Sequence, residues 1–174
     1  LKTHIKDFLK TEKEIVKKGS VLKILHLEKS LEKEVSVPGF SFPLKMVGKV
    51  DRIDILDGIV RIIDYKTGKT LSSKLKVSNF EILLSDSQYS SSFQVLAYCY
   101  LYPSLIQKNR SVQAGIISFQ NLKEYFMPLS VKNSKKRESN NFIIDLPIIS
   151  LFEEVLFNLF REIFNKKIPF RSRD

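Results

Sequence analysis

Cysteine is almost missing from this 174-residue chain: Cys99 stands alone, which excludes an intrachain disulfide framework and any cysteine-built metal or iron–sulfur cluster. A reducing, cytoplasmic setting fits that scarcity. Histidine is nearly as rare, with only His4 and His26 available. No apolar run approaches the roughly 18 residues that span a bilayer. The N-terminus scatters Lys2, His4, Lys6 and Asp7 where a signal peptide would carry its apolar core. No internal repeat is visible, which excludes a solenoid.

What is present is basic charge and a large apolar fraction. Twenty-nine Lys and Arg against nineteen Asp and Glu leave a formal net charge of +10, which favours a polyanionic partner such as nucleic acid, although lysines that merely solvate helices give the same total. At 43% hydrophobic residues, thirteen of them Phe, the chain has material for one packed core, so a single globular domain over residues 1–174 is expected. It starts at Leu1 and stops in Arg171-Ser172-Arg173-Asp174, and it reads as a piece of a longer polypeptide.

Along the chain, Ile5, Phe8, Leu9, Ile15 and Val16 fall at helical spacing and predict an amphipathic helix that ends near Gly19. Residues 20–37 admit either period, with Pro38-Gly39 as a turn. Residues 42–55 and 59–66 are rich in β-branched side chains and flank Asp57-Gly58, a strong hairpin signal. Residues 67–89 are polar and aperiodic and predict a long loop. Phe93, Leu96, Ala97, Tyr100 and Leu101 predict a helix up to Pro103. Residues 112–119 and 124–129 predict a strand pair, 132–141 a basic loop, and 148–164 a last long helix.

A two-residue turn at Asp57-Gly58 sets the hairpin register and puts Asp51 opposite Asp64. Facing side chains in a sheet lie with Cβ atoms about 4.5 to 5.5 Å apart, so two carboxylates repel unless a divalent cation neutralises them. Alternation puts Asp64 and Lys66 on one face with Ile53, Ile55, Val60 and Ile62. Such a triad suits phosphodiester hydrolysis: hard oxygens hold Mg²⁺, and Lys66 either orients or activates water, or stabilises charge on the phosphate. The spacing leaves both lysine roles open. The same register sets Asp54 against Arg61 as a surface ion pair outside the site, worth about a few tenths of a kcal/mol, and opposes Lys49 to Lys66.

Three segments, Gly48-Lys49-Val50-Asp51-Arg52-Ile53-Asp54, Ile62-Ile63-Asp64-Tyr65-Lys66-Thr67-Gly68 and Gln94-Val95-Leu96-Ala97-Tyr98, together resemble the RecB-type branch of the PD-(D/E)XK nucleases over roughly residues 20–170. In particular they resemble the C-terminal nuclease domain of AddB and RecB helicase-nucleases. The resemblance implies an α/β, restriction-endonuclease-like core, a mixed sheet flanked by helices, with residues 20–37 as a strand. It implies a Mg- or Mn-dependent deoxyribonuclease, an exonuclease of DNA recombination and repair partnered by a helicase subunit or domain, with DNA as substrate. Carried across by position, Asp51 and Asp64 become metal ligands with the Tyr65 carbonyl, Lys66 the catalytic lysine, and Gln94 and Tyr98 the helix residues that meet DNA. Glu28 stands where such proteins often carry a strand glutamate, and a solvated or structural role is expected for it.

Two departures remain. Relatives often supply an upstream histidine ligand, which neither His4 nor His26 matches, leaving the ligand to one of these or to sequence outside this chain. Relatives also often end in a cysteine cluster beyond a segment resembling Ile168-Pro169-Phe170, where this chain stops. A nuclease-like domain that only binds DNA or scaffolds, and a stand-alone restriction-type enzyme, are the competing readings.

Overall fold

The computed structural model describes residues 2–102, 111–132 and 140–169. Helix α1 (Lys2–Lys17) ends at Gly19, whose φ of 101° lets Ser20 N–H reach Ile15 O and Gly19 N–H reach Val16 O, the paired bonds that close a helix C-terminus. Strand β1 (Leu22–Val35) follows, then the hairpin of β2 (Leu44–Leu56) and β3 (Ile59–Lys66). Its turn residues Asp57 and Gly58 both have positive φ, 49° and 84°, the backbone that the right-handed strand twist demands. Asp57 Oδ1 also accepts from Val21 N–H at 2.8 Å and ties the turn to β1.

The polar stretch expected to be a loop instead carries short pieces: 3₁₀ turns at Ser72–Leu75 and Ser87–Tyr89, β4 (Lys76–Val77) and α2 (Ile82–Ser85). Leu75, Val77 and Leu83 are buried and fasten this stretch to the core, which its serine-rich composition hides. Helix α3 (Ser90–Leu101) then crosses to β5 (Val112–Ser118), giving the long connection that parallel strands require. The strand expected over 124–129 shrinks to β6 (Met127–Pro128), because a 3₁₀ turn occupies Leu122–Glu124 and Pro128 has no N–H to extend a ladder. The segment expected to be a basic loop, 132–141, begins on the last residue of β7 (Ser130–Lys132) and ends in β8 (Asn140–Asn141); residues 133–139 lie outside the described residues. Helix α4 (Leu146–Ile163) starts at an Asp145 cap, whose Oδ1 accepts from Ile148 N–H at 3.1 Å.

The main sheet runs β1-β2-β3-β5-β6 and is mixed: antiparallel except for the parallel β3–β5 pair. A smaller sheet runs β4-β7-β8. Helix α3 is buried along most of its length between the main sheet and α4. The other sheet face packs Phe8 of α1 on Ile63 and Ile117. This is the expected α/β architecture, a restriction-endonuclease-like core with helices on both faces of a mixed sheet. Among the described residues no helix is long and apolar enough to cross a membrane.

Candidate active site

The hairpin has the expected register, pairing Leu56 with Ile59, Asp54 with Arg61 and Arg52 with Ile63. There the backbone ladder ends, one pair short of Asp51 and Asp64. Lys66 O accepts from Phe119 N–H at 2.9 Å on the β5 side, so alternation turns the Tyr65 N–H and C=O toward β2. The Tyr65 N–H finds the Asp51 carboxylate there, at 2.7 Å from Oδ2. A side chain has replaced a strand carbonyl, the two strands part, and the Tyr65 C=O faces the same gap.

The alternation of β2 also breaks at this point. Val50 and Ile53 would occupy opposite faces of a regular strand, yet both are fully buried in the core under α3. The β1–β2 register pairs Leu27 with Arg52 and Lys29 with Val50, which leaves Glu28 across from Asp51. Glu28 has φ of 51°, a left-handed backbone that costs a non-glycine residue about 1–2 kcal/mol. Across from this left-handed residue, Asp51 leaves the pleat sideways toward the Tyr65 N–H of β3. The Glu28 carboxylate is exposed and paired with the Lys49 ammonium. That pair, and the engagement of Lys66 described next, remove the expected clash of Lys49 with Lys66.

Around Asp64 four side chains close a ring. Lys66 Nζ lies 2.8 Å from Asp64 Oδ2 and donates to Gln94 Oε1 at 2.7 Å; Gln94 Nε2 donates to the Tyr98 hydroxyl at 2.7 Å; that hydroxyl lies 3.5 Å from Asp64 Oδ1. Gln94 and Tyr98, one turn apart on α3, thus meet the strand residues. Gly48 permits the approach: a Cβ there would stand 2.9 Å from Leu101 Cδ1 and 3.4 Å from Tyr98 Cε1.

Asp64 is 3% exposed, and burial pushes its carboxyl above the usual carboxylate range; the neighbouring Asp51 charge adds to this, while Lys66 and Tyr98 oppose it. Burial likewise raises the Tyr98 hydroxyl. The Lys66 ammonium sits close to Asp64 Oδ2, but no well-directed hydrogen bond satisfies that oxygen. A buried anionic oxygen with an unsatisfied lone pair, beside a second carboxylate and a peptide carbonyl, is a donor set of hard oxygens that suits Mg²⁺ or Mn²⁺. Neither histidine joins it. His4 is exposed on α1, and His26 on β1 meets Tyr102, its Nε2 3.4 Å from the phenol oxygen. Among the described residues no group of three or more His, Cys, Asp or Glu is assembled.

On the far face the Asp54–Arg61 pair is not the surface pair its spacing suggests. Asp54 is fully buried and accepts from Arg61 Nε on Oδ1 at 2.7 Å and from Arg61 Nη2 on Oδ2 at 2.8 Å, while Arg52 Nε lies 2.7 Å from the same Oδ2. The cover supplied by α1 and Phe126 makes the difference. Arg52 and Glu12 are the participants that sequence reasoning did not single out; Arg52, a charge inside the apolar run of β2 next to Ile53, was the signal.

Among solved structures the chain is similar to one titled "Crystal structure of SSO0001", at 17% identity and a TM-score of 0.31, covering 94% of this chain and 63% of that one. The chain thus spans less than two thirds of that protein's length. Comparison with curated proteins gives no match. A sequence model of the PD-(D/E)XK nuclease superfamily matches residues 2–174, nearly the whole chain. The chain belongs to the PD-(D/E)XK nuclease superfamily.

Proposed function

We propose that this domain is a metal-dependent deoxyribonuclease in which Asp51, Asp64 and the Tyr65 carbonyl hold Mg²⁺ or Mn²⁺ and Lys66 is the catalytic lysine. The observation that carries this reading is the ring Asp64–Lys66–Gln94–Tyr98, set against the hairpin split that turns Asp51 and the Tyr65 carbonyl toward one gap. A bound cation would supply positive charge against the scissile phosphate and acidify the attacking water. The chain's own groups do the rest. Lys66 Nζ, on a side chain 31% exposed, is placed to touch water or a phosphate oxygen while Gln94 Oε1 fixes its direction. Tyr98 and Gln94 keep Asp64 and Lys66 in register and offer polar atoms to a DNA strand.

The resemblance of Asp64-Tyr65-Lys66-Thr67-Gly68 and Gln94-x-x-x-Tyr98 to helicase-associated nucleases supports an exonuclease of recombination or repair that works beside a helicase. Labelled linear single- and double-stranded DNA with Mg²⁺ or Mn²⁺ tests the core of this. Cleavage should vanish with EDTA and fall at least about 100-fold in Lys66→Ala and Asp64→Ala. A folded wild-type protein that binds DNA and never cuts it would replace the nuclease by a DNA-binding scaffold.

A further inference from the structure

Opposite the site, the face of the hairpin toward α1 buries a charge network. Arg52, 2% exposed, has Nη1 2.8 Å from Glu12 Oε1 of α1 and donates to the Tyr65 hydroxyl at 3.1 Å; its Nε meets Asp54. Glu12 also accepts from the Tyr125 hydroxyl. The Tyr65 ring is stacked on Phe119, centroids 5.4 Å apart, and set edge-on to Phe8 at 5.7 Å. With Arg61 on Asp54, two cations face two anions and the cluster is neutral. Burial works against the Arg52 charge, but Tyr65, Asp54 and Glu12 outweigh it, so the guanidinium stays charged.

The position of this network is the point. The β2–β3 backbone ladder stops at Arg52 and Ile63, and beyond it the strands are joined by side chains on both sides of the gap. On one side Asp51 accepts from the Tyr65 N–H; on the other Arg52 donates to the Tyr65 hydroxyl oxygen. Arg52 directly follows Asp51, and Tyr65 directly follows Asp64, so the clamp spans the residues that carry the site. Its far end is Glu12, on a helix that contributes nothing to the site itself.

We propose that Glu12, Arg52 and the Tyr65 hydroxyl are positioning residues that set the spacing of Asp51 from the Tyr65 carbonyl, and so the affinity of the site for its divalent cation. This rests on the reading that Asp51, Asp64 and the Tyr65 carbonyl hold that cation. Partners behind metal ligands commonly change metal affinity 10- to 100-fold when removed. Arg52→Ala would strand the buried Glu12 and Asp54 and is a poor probe. Tyr65→Phe removes the hydroxyl and keeps the stacked ring and the carbonyl; Glu12→Gln keeps size and an acceptor and removes the charge.

The measurement is direct Mn²⁺ binding by electron paramagnetic resonance on each folded chain, with thermal melting in EDTA alongside. Tyr65→Phe and Glu12→Gln should each weaken Mn²⁺ binding about 10-fold, beyond any loss of folded protein, and Asp64→Ala should abolish it. Wild-type affinity in both variants, with Asp64→Ala inert, would overturn the clamp and leave the nuclease reading standing. A lowered melting temperature with unchanged Mn²⁺ affinity assigns the network to stability alone and also overturns it. No Mn²⁺ binding by the wild-type chain would overturn the cation site and the clamp with it.

Discussion

At the scale of single residues, burial of Asp64 sets the cost of its charge against the metal-ligand role proposed for it. Its carboxyl is raised first by burial and then by Asp51. A carboxyl with a folded value above its unfolded one contributes most below the unfolded value, and that contribution is lost as pH rises through the folded value. The ionised, metal-free site therefore weakens the fold at neutral pH. Asp64→Asn should melt higher than wild type in EDTA at neutral pH, by a few degrees, and the gap should close as pH falls through the raised value toward about 4. With Mg²⁺ in excess the order should reverse, because a ligand that binds only the folded state stabilises it. An Asp64→Asn chain that melts below wild type in EDTA at every pH would show that the Lys66 contact outweighs burial. Asp51, Asp64 and Lys66 could be singled out in the sequence because hairpin register is local arithmetic once a turn is identified. The sideways exit of Asp51 could not, since it depends on the left-handed Glu28 across the sheet. Nor could the pairing of Arg52 with Glu12, which lies forty positions away on α1.

At the scale of elements, two glycines separate approaches that look alike. A Cβ at Gly48 would press on Leu101 Cδ1 at 2.9 Å, the movable end of a side chain, whereas a Cβ at Gly115 would sit 2.3 Å from the Met127 backbone oxygen where β5 and β6 pair. Gly115→Ala should cost about 3 kcal/mol in denaturant unfolding and Gly48→Ala no more than about 1 kcal/mol. Gly48→Ala should still reduce cleavage, since α3 carries Gln94 and Tyr98 past that point. Equal costs would mean that β6 yields as easily as a leucine methyl. Elements with long periodic patterns, α1, α3, α4 and the β2–β3 hairpin, were legible in the sequence. The pieces within residues 67–89 were not, because the first 3₁₀ turn, β4 and α2 are each held by a single buried side chain, Leu75, Val77 and Leu83, and none has a periodicity of its own.

At the scale of the whole molecule, the net charge of +10 does not translate directly into a nucleic-acid surface. Arg52 and Arg61 are buried against Asp54, and Lys45 and Lys49 are paired with Glu32 and Glu28. The proposed DNA substrate would have to meet other cations. Lys69 is exposed two residues past the Tyr65-Lys66-Thr67 run, beside a Gly68 carbonyl held by Ser118 Oγ at 2.8 Å. Each phosphate neutralised lowers log affinity against log salt by about 0.9 on duplex and 0.7 on single strands. With three such contacts, binding measured by fluorescence anisotropy in EDTA should weaken about 20- to 40-fold between 50 and 200 mM salt. Lys69→Ala should reduce the slope by about one contact, 0.7 to 0.9, with little change in melting temperature. A Lys69→Ala slope equal to wild type would move the DNA path away from the end of β3. An affinity independent of salt would mean that the excess charge serves something other than a phosphate backbone.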